Sequence, residues 1–107
     1  MDYEARRKQI LKQMARINCM EKGRINEEYR ERSRDGGVIR LGPYYKHQRW
    51  EEGRNVSRRV PVAEAESLRK AVDGYHEFEE LAKEYAQVTI AMTRESSTHD
   101  GKKKPRQ

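Results

Sequence analysis

Between residues 40 and 59, cationic side chains are interleaved with aromatic rings. Arg40, Lys46, Arg49, Arg54, Arg58 and Arg59 share this stretch with Tyr44, Tyr45, His47 and Trp50. A guanidinium offers a planar fork of paired donors that matches phosphate, and an exposed aromatic face can stack on a base. The pattern points to nucleic acid as partner, with DNA and RNA equally open. Arg49, Arg54, Arg58 and Arg59 are the expected binding residues, supported by Lys46 and Tyr45. A second basic run, Lys102, Lys103, Lys104 and Arg106, would add affinity by releasing counterions. The same residues would also suit an edge-protected sheet with solvated arginines and aromatics turned to the core.

Other chemistries find no support in residue spacing. His47, His76 and His99 are far apart, and with the one cysteine they make no zinc pattern. Cys19 follows an apolar helical stripe and reads as a packing residue. Gly36-Gly37 and Gly42 lack the spacing of a phosphate-cradling loop. Glu79 and Glu80 are adjacent, so on a helix they point in different directions and form no acid/base pair. The expectation is a non-enzymatic protein with no catalytic residue, metal, cofactor or small-molecule substrate.

The charge is segregated along the chain. Over 107 residues the net charge is +6. Residues 34–59 carry seven basic and three acidic groups, whereas residues 60–99 carry four and eight. Solubility alone does not require such a division. Hydrophobic residues are 34% of the total and charged residues 39%, a thin core for a compact globule, better suited to helices with one apolar stripe each. The N-terminus has no apolar run resembling a signal peptide, and no stretch is long and apolar enough to span a bilayer. A cytoplasmic location without membrane contact is expected.

These residues must be positioned by a small set of elements. Ile10, Met14 and Ile17, with Leu11, predict a helix over residues 2–22, with Asp2 and Glu4 at the positive end of its dipole and Gly23 as its stop. Residues 24–33 fit either a helix or a strand. The Arg34-Asp35-Gly36-Gly37 turn signal favours a strand leading into a hairpin. Residues 38–50 form the best strand, with Gly42-Pro43 as a bulge or edge interruption, and residues 54–60 the next. After Pro61 the stripe Ala65, Leu68, Val72, Tyr75, Phe78, Ala82, Tyr85, Val88 and Met92 predicts one helix over residues 62–94, weakened at Gly74. The fold class is α+β: an N-terminal helix, a small antiparallel β-meander of two or three strands, and a long C-terminal helix packed on the first. Residues 1–95 form the single domain, and residues 96–107 a disordered basic tail.

A three-residue turn at Glu51-Glu52-Gly53 sets a register in which Trp50 opposes Arg54 and Tyr44 opposes Val60. One face then holds Tyr44, Trp50, Val56 and Val60 and packs on a helix. The other holds Tyr45, His47, Arg49, Asn55, Ser57 and Arg59 and is polar and cationic. A two-residue turn would reverse these relations.

The order of motifs resembles a family of small bacterial and archaeal proteins without assigned activity, often encoded near transposases. The resemblance is carried by Gly23-Arg24-Ile25, Glu28-Tyr29-Arg30, Gly42-Pro43-Tyr44-Tyr45, Arg58-Arg59-Val60-Pro61 and Tyr75-His76-Glu77-Phe78-Glu79-Glu80-Leu81. It spans roughly residues 5–92. Many relatives have a cysteine-rich turn before the strand and a histidine before Gly-Pro. Here the turn is Ser33-Arg34-Asp35-Gly36-Gly37 and Leu41 precedes Gly42, so no metal role carries over. The resemblance implies the architecture and, by genomic company, a link to mobile elements.

Together these readings predict a nucleic-acid-binding accessory protein. The alternative is an interaction or assembly module that dimerises as a coiled coil through the long helix.

Overall fold

The computed structural model describes residues 2–101, with side chains through Ser97. Its elements are α1 (Tyr3–Ala15), β1 (Arg24–Arg34), β2 (Gly37–Glu51), β3 (Arg54–Val60) and α2 (Val62–Gly101). The three strands form one antiparallel sheet in the order β1-β2-β3. This is the expected α+β architecture, with residues 24–33 resolved as strand.

The chain divides into two compact units. The first contains the residues up to Asn18 and those from Glu77 onward, and the second spans Cys19–His76. In the first, Asp2 caps α1 by accepting from the Ala5 amide at 3.1 Å, satisfying one donor that a helix start leaves open. Ile10 is fully buried against Leu81 and Val88 of α2, with Tyr3, Met14, Ile17, Tyr85 and Met92 around them. Arg6 grips Glu84 with two 2.6 Å hydrogen bonds, which hold the Glu84 carboxyl below its usual range. The first helix thus packs on the second half of the last, as the paired apolar stripes predicted.

Three expectations are corrected. Helix α1 stops at Ala15 and does not reach Lys22. Tertiary hydrogen bonds outweigh the helical pattern there. The Glu21 amide donates to the Ala71 carbonyl at 2.9 Å, and the Lys22 carbonyl accepts from His47 Nε2 at 2.8 Å. Gly23 (φ +95°) then turns the chain into β1 against the Gln48 carbonyl.

The second correction concerns the β2–β3 turn. It has two residues, Glu52 and Gly53, both at positive φ (50° and 81°). Glu51 opposes Arg54, Trp50 opposes Asn55 and Tyr45 opposes Val60. A turn with positive φ at both central positions matches the right-handed twist of the strands, and Glu52 takes that conformation although its side chain disfavours it. The faces expected from the sequence are therefore reassigned.

The third concerns α2, which runs to Gly101, into the segment that composition assigns to the tail, and which Gly74 does not interrupt. The basic residues Lys102, Lys103, Lys104 and Arg106 lie outside the described residues.

The β1–β2 hairpin follows expectation. Asp35 and Gly36 form its tip, again both at positive φ, and a bulge sets Tyr29 against Gly42 and Pro43.

Candidate functional site

In a paired strand, directly opposed residues share a face and successive residues alternate. The observed register therefore assigns every side chain of the sheet to one of two faces.

The inner face carries Ile25, Tyr45, His47, Val56 and Val60. His47 and Val60 are buried, and within the same unit so are Ala65 and Val72 of α2. His47 donates to the Lys22 carbonyl, so it is a satisfied core histidine rather than part of a binding surface. Charges on this face are close to balance. Arg49 lies 2.8 Å from Glu51, and Arg58 lies 3.6 Å from Glu64 at the start of α2. Arg40 stacks over the Tyr29 ring at 3.9 Å. The Tyr29 hydroxyl donates to Glu27 at 2.7 Å, and that bond pushes its pKa up.

The outer face is different. It carries Arg24, Arg30, Arg32, Arg34, Lys46 and Arg59. Among the described residues the one carboxylate of its strands is Glu28, 3.6 Å from Lys46. The five arginines form no ion pair among the described residues. Tyr44 sits in the middle, with the Arg30 guanidinium 5.0 Å from its ring centroid and that of Arg59 at 4.6 Å. Because β1 and β3 flank β2 on opposite sides, the two arginines approach the ring from opposite directions. Each guanidinium is attracted to the ring face, which positions its charge on this side of the sheet. At one end lies Trp50, the only tryptophan of the chain, 66% exposed. An exposed cationic face with a bare aromatic ring can take phosphates and stack on a base.

The residues expected from the sequence are divided between the faces. Lys46 and Arg59 lie on the outer face; Tyr45, Arg49, Arg54 and Arg58 lie on the inner one.

A family model described as a domain of unknown function (DUF6788) matches residues 1–70. The chain belongs to the DUF6788 family. The DUF6788 match includes all three strands, and hence both faces, and ends within α2. It is shorter at its C-terminal end than the motif resemblance, which reached about residue 92. No curated protein and no solved structure matches the chain.

Sequence reasoning missed Arg24, Arg30, Arg32 and Arg34. The signal was present, because Arg30, Arg32 and Arg34 recur every second residue just before Asp35-Gly36. That period places them on one side of a strand, once residues 24–34 are taken as a strand.

Among the described residues no group of three or more histidine, cysteine or acidic side chains is arranged to hold a metal ion. Nor, among the described residues, is any helix long and apolar enough to cross a membrane.

Proposed function

We propose that the outer face of the sheet is a nucleic-acid-binding surface, and that the protein is a non-enzymatic accessory factor. One observation carries this reading: six cations share an open face with a single carboxylate, while the other face sets three carboxylates among its four arginines and pairs two of them, Arg49 and Arg58. Phosphate contacts from such a row supply affinity through counterion release. The setting implied by the Gly42-Pro43-Tyr44-Tyr45 resemblance, a protein accompanying mobile elements in bacteria and archaea, is consistent with this role.

The test is fluorescence anisotropy with labelled DNA and RNA, duplex and single-stranded, over a salt series. Trp50 emission serves as a second readout, because the only tryptophan lies on the proposed surface. Binding that weakens steeply with salt and perturbs Trp50 is expected. An absence of binding to every probe at low salt removes the reading.

A second reading is favoured by a separate feature. An apolar groove of about 420 Å³ lies along α2, lined by Tyr85, Ala86, Thr89, Ile90, Thr93 and Arg94, with Ile90 46% exposed. Self-assembly through this half of α2 would cover it. Sedimentation velocity over a concentration series tests that, and a strict monomer rejects it.

A further inference from the structure

The sheet is not three-stranded throughout. Strand β3 pairs with β2 only between Tyr45 and Glu51. Beyond the bulge at Tyr29, from Arg30↔Leu41 to Arg34↔Gly37, the β1–β2 hairpin continues as two strands. No residue from 30 to 41 is buried, and residues 30–38 are all exposed. The bulge lies at the root of this ribbon, where an extra residue bends the strand and increases its twist. Gly42 (φ +130°) makes the bend feasible, because its backbone lies against the Glu28 carbonyl and the Tyr29 ring. From root to tip the ribbon rises about 14 Å, at roughly 3.4 Å per residue.

We infer that this ribbon enters the major groove of duplex DNA, so that the substrate of the outer face is B-form DNA rather than RNA or single strands. The inference rests on the proposed nucleic-acid role and narrows it. Two rows of side chains run along the outer side of the ribbon. One is Arg30, Arg32 and Arg34; the other is Leu41 and Ile39, directly opposite Arg30 and Arg32, and it ends at Gly37, which leaves Arg34 without an opposing side chain. Arginine is the side chain that pairs with the O6 and N7 acceptors of guanine, and apolar side chains meet the thymine methyl group. Both contacts exist only in the major groove. That groove, about 12 Å wide and 8.5 Å deep in B-DNA, admits a two-stranded ribbon, and a ribbon of this length exceeds its depth. The major groove of duplex RNA is deep and narrow and closed to side chains. On this arrangement the two cations nearer β3, Lys46 and Arg59, lie back from the groove where the phosphates of the duplex run.

The experiment uses the full chain with duplex DNA, duplex RNA and single-stranded DNA of one sequence, at one salt concentration. Duplex DNA is expected to bind at least about tenfold tighter than duplex RNA, the discrimination of a single good base-edge contact. Replacing guanine by 7-deazaguanine, which removes the N7 acceptor and leaves every phosphate, is expected to weaken binding severalfold without altering the protein. The double variant R32A/R34A is expected to lose the preference for DNA and to keep its circular dichroism spectrum. Equal affinity for duplex DNA and RNA, or indifference to both 7-deazaguanine and R32A/R34A, overturns the groove inference while leaving the binding surface intact. Binding to none of the probes overturns both.

Discussion

Arg58 and Arg59 are consecutive in the chain and lie on opposite faces of one sheet. The first is paired with Glu64, and the second lies over the Tyr44 ring. The same division holds across the whole sheet. Inward-facing arginines alternate with carboxylates, and Arg49 and Arg58 are paired with them, while outward-facing ones form a row with little to oppose them. The comparison teaches that the net charge of a segment says little about where that charge can be met. Alternation along a strand sorts charges by parity, so a locally mixed run such as Arg30-Glu31-Arg32-Ser33-Arg34 becomes cationic on one side only.

The largest expected effects separate the faces by stability. Gly23→Ala places a Cβ against the Gln48 carbonyl at a φ that side chains rarely adopt. A loss of about 2–4 kcal/mol is expected from strain and displaced backbone. Val60→Ala, at a position only 3% exposed, should cost about 2–3 kcal/mol through lost burial and the cavity left behind. Trp50→Ala on the outer face should stay within about 0.5 kcal/mol, since little is buried there. Urea unfolding checks all three. A tryptophan variant as destabilised as the valine variant would mean that the outer face is covered, and the contrast between the faces would fail.

Most of the architecture was legible in the sequence. Two elements, the Asp35-Gly36 hairpin and the apolar stripe of α2, are written in local signals whose physics is short-range; the hairpin appears as expected, and the stripe does so except that Leu81, not the expected Ala82, is the buried residue between Phe78 and Tyr85. The candidate site was far less legible, because its membership depends on one turn. Glu51-Glu52-Gly53 is compatible with a loop of two or three residues, and the choice reverses every side chain of β3 relative to β2. Nothing in the residue types announces that Glu52 will accept a positive φ. The end of α1 was hidden for a related reason. Ile17 continues the helical stripe, and only hydrogen bonds to Ala71 and His47, remote in sequence, draw residues 21 and 22 out of the helix.

Arg58→Ala and Arg59→Ala give an intermediate effect and the most direct comparison. Neither should lower stability by more than about 1 kcal/mol, because the Arg58–Glu64 pair is half exposed and Arg59 only covers a ring. Their effects on nucleic-acid binding should differ. Arg59→Ala is expected to weaken binding severalfold and to reduce the slope of log K against log salt by about 0.9, one phosphate contact on a duplex. Arg58→Ala is expected to leave that slope unchanged. Salt titrations of the two variants decide the matter, and equal slopes would show that the faces do not differ in their access to phosphate.

The smallest expected effect is the sharpest, because it has the opposite sign. Glu28 is the carboxylate of the outer face, 3.6 Å from Lys46, with both side chains nearly half exposed. Glu28→Gln should tighten binding about two- to fivefold at low salt, and the gain should fade as the screening length drops to about 10 Å at 0.1 M salt. Glu51→Gln, which removes the same charge from the inner face beside Arg49, is the control. Both variants raise the net charge equally, so a surface that attracts nucleic acid only through its total charge would respond to both alike. A gain confined to Glu28→Gln requires that the polyanion lies against the outer face, where that carboxylate competes for the lysine. An equal gain from Glu51→Gln would reduce the difference between the two faces to a matter of packing alone.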